Sequence, residues 1–292
     1  MSDARILDSG YRRYDGPRLG EWHATFALWK HTLRRILGLG RPARWKILPV
    51  LSIAIAYVPN IVFVGVTALV PNEEFRDTVL PGYAFTYGFI TAAILLFVIF
   101  VAPEALCPDR RSGILSLYLA TPLTRTRYIA AKAAGVFTAL LLVTFGPALL
   151  YLIGLSAQSA GPDGFGGFMS ILGRIAAAGI ILALFYTGFS IGVSSLTDRK
   201  AIAAAIIFFG SQAVGVAIGI LVFALKAPGW LMGVPPDRTA LTLVLHIFGE
   251  GRFVVEDGYV APTLAFALGT AFWTVAGLAL AWFRYNRLRV TR

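Results

Sequence analysis

The chain has 292 residues, 57% of them hydrophobic and only 14% charged, with a net charge of +11 and a mean hydropathy of +0.73. A soluble domain carries about 25% charged residues. The composition is therefore that of a membrane protein, and the basic surplus reads as positive loops on one side of a bilayer, not as a nucleic-acid surface. One cysteine, Cys107, excludes an internal disulfide and a cysteine-rich metal site, and His23, His31 and His246 are too scattered for a histidine metal centre.

Residues 1–46 are polar and basic, with no short apolar run before a small-residue cleavage site. The first membrane helix is therefore expected to act as an uncleaved insertion signal. The stretch 1–19 reads as a turn-rich basic arm near anionic lipid or a cytoplasmic partner. Over 20–39, Trp22, Phe26, Trp29, Leu33 and Leu37 recur at helical spacing, with Lys30, His31, Arg34 and Arg35 elsewhere. That pattern predicts a helix lying in the membrane interface. Packing on a soluble core is disfavoured, because the chain has no soluble domain for the helix to cover.

Six windows without Asp, Glu, Lys or Arg are long enough to span: 47–72, 78–103, 133–162, 175–197, 201–225 and 258–283. A spanning helix needs about 20 apolar residues, and the next window, 112–124, is too short. The predicted fold is all-α and integral to the membrane. Its helices lie at about 47–70, 82–103, 130–156, 171–196, 200–225 and 260–283, making one transmembrane domain over 47–283. With both termini cytoplasmic, 21 of the 26 Lys and Arg fall on the cytoplasmic side, in 1–46, 104–132, 198–200 and the basic tail 284–292. This bias favours that orientation, and an even number of spans agrees with it.

Pro59 predicts a kink in the first helix, next to Asn60. Gly188 with Gly192, and Gly215 with Gly219, have the spacing that lets helices approach closely. The outer segment 226–258 is too apolar for a floppy loop and too short to span, which predicts a short helix dipping into the outer leaflet.

Candidate chemistry is sparse. Gly188-Phe-Ser190-Ile-Gly192 matches a nucleophile-elbow pattern, but no histidine lies in any window to serve Ser190 as a base. An intramembrane hydrolase is the least favoured reading. No Gly-Lys pair occurs, so no phosphate-binding loop of that type exists. The windows hold no ionisable Asp, Glu, Lys or Arg, which argues against a proton relay and less firmly against sodium coupling. Asn60, Ser211 and Gln212 are candidates for the pathway or for a contact between two subunits; for Ser211 and Gln212 a simple helix–helix hydrogen bond is the plainer alternative. Energy, if used, should enter through a cytoplasmic surface. The largest such surface is 104–132, where 109–120 can form a short helix with Ile114, Leu117 and Tyr118 on one face. Pro122 stops it, and Thr124 or Thr126 can cap the next span. This piece reads equally well as a lever or as an ordinary interfacial loop.

Glu104, the run from Asp109 through Arg110, Arg111, Gly113, Leu117 and Pro122 to Arg125, and Lys132 together resemble the signature of ABC-2 type transporter permeases. Ile114 stands where a Thr is usual. The entry helix, the six spans and the tight 194–200 turn are also similar to that family. The resemblance implies a permease subunit of an ATP-driven transporter, with export the commoner direction, that is not catalytic itself and binds no cofactor. ATP and magnesium would sit on a separate ATPase subunit, and a second permease subunit, identical or related, would complete the pathway. It also implies an ATPase-coupling helix over 109–120, a second contact at Asp198 and Arg199, and an elbow helix at the N-terminus. The alternative is a stand-alone secondary transporter or channel.

Overall fold

The computed structural model describes Gly16 and residues 19–69, 80–250 and 262–287. Most of the arm 1–19, residues 70–79, the end of the outer segment at 251–261 and the tail residues 288–292 lie outside the described residues.

Nine helical elements organise the described chain. They are α1 (Glu21–Ile36), α2 (Ile47–Leu69), α3 (Tyr83–Arg111), α4 (Leu115–Leu119), α5 (Arg125–Ser156), α6 (Gly164–Ser194), α7 (Lys200–Ala224), α8 (Thr239–Phe248) and α9 (Thr263–Arg287). Six of them, α2, α3, α5, α6, α7 and α9, are long and apolar enough to cross a membrane. The protein is a multi-pass, all-helical membrane protein. One end of the bundle gathers α1, α4, the 194–200 turn and Arg284 and Arg287; it is called the basic end below.

The spans differ from the charge-free windows at their ends. α3 was expected to stop at 103 but continues to Arg111. Pro103 has no N–H to donate, and the chain answers by passing through a π turn at Phe97–Val101 and a 3-10 turn at Ala102–Ala105. The whole stretch from Val101 to Cys107 is buried, so leaving the helix there would strand backbone polar groups. α5 begins at Arg125 instead of 130, because the Thr124 hydroxyl accepts the Arg127 N–H at 3.3 Å. α5 bends at Phe145, just before Pro147. α6 starts at Gly164 instead of 171.

Gly188 and Gly192 act as spacers between α6 and α9. A Cβ at Gly188 would meet the Thr274 carbonyl at 2.5 Å, and one at Gly192 would meet the Gly277 Cα at 2.7 Å. Gly215 and Gly219 do not serve the same purpose on α7. Gly215 abuts the Asp237 carboxylate, and Gly219 has nothing within 4 Å. α1 packs on protein after all. Leu28, Thr32 and Ile36 are buried, and Thr32 sits against Gly135 of α5, while Trp22 and Phe26 remain exposed. One face of α1 is thus buried against a helix long and apolar enough to span, and Trp22 and Phe26 lie off that face.

The segment between α7 and α9 turns back into the bundle. A 3-10 turn at Gly229–Gly233 leads down to Val234, whose carbonyl accepts the Trp273 indole N–H at 2.8 Å. Trp273 lies about three turns into α9. α8 then climbs back until Phe248 meets the Tyr87 ring at 5.7 Å. The predicted dip is thus a re-entrant pair, in which backbone without helical bonds is buried against protein.

A Cβ at Gly277 would meet the Gly188 carbonyl at 2.1 Å. Gly277→Val is expected to cost about 1–3 kcal/mol by overpacking, read as a lower unfolding temperature in detergent. Gly173→Ala, where nothing lies within 4 Å, should leave that temperature unchanged or raise it slightly.

Candidate functional site

The densest polar cluster among the described residues lies at the basic end, where α3 runs past its apolar window. Asp109 is fully buried, and Glu104 is 7% exposed. Asp109 is held from two helices. Arg35 of α1 reaches Oδ1 at 2.5 Å; Lys132 of α5, itself fully buried, reaches Oδ2 at 2.6 Å; and the Tyr128 hydroxyl donates to Oδ2 at 2.8 Å. Glu104 takes Arg41 at 2.7 Å, the Arg35 Nε at 3.5 Å, and the Lys200 ammonium. Arg35 links the two carboxylates. The Trp45 ring closes the cluster from outside, with Lys200 at 4.7 Å and Arg41 at 5.0 Å from its centroid.

Four cations thus surround two carboxylates. His31, on α1 outside the spans, feels the surplus. Partial burial first, then the fields of Lys132 and Arg35, hold its imidazole below the ordinary histidine range.

Two further ties extend from α3. Arg110 donates to the Ser195 carbonyl, and the Cys107 thiol points at the Ser194 carbonyl at 3.8 Å. The end of α3 is therefore fastened to the turn between α6 and α7. Arg125 reaches across to the last described turn of α9 and donates to the Asn286 carbonyl at 2.6 Å.

What remains outside is the tip. Arg111, Ser112, Gly113 and Pro122 are exposed, and Leu117 is 68% exposed. The single helix expected over 109–120 is two pieces, because Gly113 takes φ +68 and ends the first at Arg111. Ile114, Leu117 and Tyr118 do not share a face: Leu117 points out, while Tyr118 turns in to meet the Tyr128 ring at 5.6 Å. The tip and the second expected contact come together. Pro108, Arg111 and Ser112 face Asp198, Arg199 and Lys200 across an open groove of about 980 Å³.

The expected site residues thus separate by position. Arg111, Gly113, Leu117, Pro122, Asp198 and Arg199 present an outer surface. Glu104, Asp109, Arg110 and Arg125 bind that surface to the bundle from within. The network partners Arg35, Arg41 and Tyr128 were missed from the sequence.

Asn60 is fully buried, and its amide donates to Ala56 within α2 at 2.8 Å. Ser211 donates to the Phe208 carbonyl of its own helix at 2.9 Å, and Gln212 beside it is half-buried. Ser190 donates to the Thr187 carbonyl at 3.3 Å. The glycines flanking Ser190 are occupied in packing, so the nucleophile-like pattern is a helix contact.

A family model described as "ABC-2 family transporter protein" matches residues 28–289, nearly the whole chain. The chain belongs to the ABC-2 transporter family. No curated protein matches it. Members of the family are the non-catalytic membrane components of ABC transporters, so the protein is an ABC-2 permease. The match runs from the middle of α1 through α9 and includes every residue of the Asp109–Glu104 network.

Removing one partner from a buried pair leaves an uncompensated charge, which costs about 3–5 kcal/mol. Lys132→Met is expected to lower the unfolding temperature of the detergent-solubilised permease sharply. Adding Asp109→Leu should recover part of that loss, because the stranded carboxylate is gone. If the losses simply add, the two residues are not coupled.

Proposed function

We propose that this permease is the membrane subunit of an ATP-driven exporter, working with a separate ATPase subunit and a second permease subunit. The observation that carries this reading is the joining of an exposed tip to α3, α5, the α6–α7 turn and α1. The surface around Arg111 and Leu117 is continuous with α3. Through Asp109 it is tied to α1 and α5, and through Arg110 to the α6–α7 turn. A push on the tip is therefore delivered to several helices together, without passing through a flexible loop.

The basic end faces the cytoplasm in this reading, supported by the distribution of Lys and Arg. Both termini then lie inside, where the ATPase works. The groove between Arg111 and Asp198 receives an element of the ATPase, and the exposed Leu117, outside the groove's lining, offers a separate apolar contact. The four-to-two excess of cations behind this surface favours an acidic partner face. ATP and magnesium belong to that partner.

Leu117→Asp and Arg111→Glu alter only exposed side chains and are expected to leave the unfolding temperature unchanged. Co-purification of the ATPase subunit should weaken at least ten-fold, the loss of about 1.4 kcal/mol or more, and transport-linked ATP hydrolysis should fall with it. Transport at full rate by the permease alone, or an undiminished complex with both variants, would overturn the reading.

A further inference from the structure

The six charge-free windows keep acids and bases out of the spans, but the re-entrant segment carries one of each inward. Asp237 and Arg238 lie at its tip, between the Gly229–Gly233 turn and α8. The Asp237 carboxylate rests on α7 at Gly215, where an added Cβ would meet Oδ2 at 2.6 Å. Gly215 is about four turns from the basic end of α7 and about two and a half from the other. The Val234–Trp273 bond sets the same depth on α9. The pair therefore sits near the middle of the membrane.

The two side chains are not equally enclosed. Asp237 is 11% exposed and Arg238 is 41% exposed. Arg238 donates from Nε and Nη2 to the single oxygen Oδ2, at 3.2 and 3.1 Å. Asp237 Oδ1 is buried and has no hydrogen-bond partner among the described residues. A guanidinium has five N–H donors, so three remain to be satisfied on the exposed side. Hydrocarbon cannot satisfy them, and from mid-membrane the side chain cannot snorkel to either interface.

We propose that Arg238 faces the water-lined part of the translocation pathway and binds the anionic head of an amphiphilic cargo, a phosphate, sulfate or carboxylate. This rests on reading the chain as a permease. Asp237 is the positioning residue: it fixes the guanidinium plane and neutralises its charge while the site is empty. Gly215 provides the space for the carboxylate. The same segment also walls an apolar cleft of about 570 Å³, with Trp230, Val234, Leu264, Leu268 and Phe272 among its lining residues, which suits the tail of such a molecule. An acceptor-rich head and an apolar tail match the two surfaces that the segment presents.

Two measurements test this. In a Cys107→Ala background, the pair Asp237→Asn and Arg238→Cys removes both charges, so none is stranded. In proteoliposomes, sulfonatoethyl methanethiosulfonate should modify the cysteine at 238 at least ten-fold faster than a Val275→Cys control. Val275 lies at similar depth on α9 and is 66% exposed. Equal, slow rates would place Arg238 away from water and overturn the proposal. On the otherwise unaltered protein, dodecyl phosphate should raise the unfolding temperature by several degrees more than dodecyltrimethylammonium. Asp237→Asn with Arg238→Gln should abolish that difference. A difference that survives in the double variant, or is absent from the unaltered protein, would overturn the anionic ligand. Neither measurement involves the ATPase, so each can fail or succeed independently of the coupling reading.

Discussion

Much of this permease depends on one buried carboxylate. Asp109 is inaccessible to water, and two cations and a tyrosine hydroxyl share its two oxygens. Burying a charge is tolerable only when its partners are close and well placed. The requirement works in both directions: Lys132 is equally buried and, among the described residues, pairs with no other carboxylate. α1, α3 and α5 are thus held in one relative position by the cost of separating them. An apolar contact would allow sliding, since side chains of similar volume repack readily; a shared buried charge does not.

That constraint explains why the mechanical and chemical parts of the site are separated. The residues that could touch a partner are exposed and make few bonds to the bundle. The residues that transmit a displacement are buried and make many. Gly113 stands at the junction, allowing the chain to turn from α3 into α4 through a conformation that a side chain would resist. Arg125 performs a similar task on the return, tying the start of α5 to the end of α9. The exposed residues therefore lie at the end of α3, before the start of α5 or in the α6–α7 turn.

The spans were legible because hydrocarbon thickness sets a length and charge marks its limits. Their ends were less so. Pro103 and Glu104 together read as an exit from the membrane, yet α3 tightens into a 3-10 turn and continues, because Glu104 finds three cations waiting. Those cations come from 35, 41 and 200, and no local pattern connects them to 104. The same holds for Arg35 beside Asp109, whereas Lys132 was joined to it only by the family signature. Glycine spacing was a sound guide on α6, where a second helix lies against it, and misleading on α7, where the neighbour is a carboxylate. The re-entrant tip was the largest omission. Counting charges window by window cannot reveal an acid and a base brought to mid-membrane by a segment that starts and ends outside.

The docking of α1 on α5 also bears on how the chain is built. Thr32 rests against Gly135, where an added Cβ would meet the threonine methyl at 2.7 Å. No such surface exists until the ribosome has passed the third span. Until then the Leu28, Thr32 and Ile36 face of α1 has only lipid to cover it, and Trp22 and Phe26 on the other side are suited to hold the helix at the bilayer surface meanwhile. α1 is therefore made before the α5 surface it packs on, and Lys200 of α7 joins the charge cluster later still.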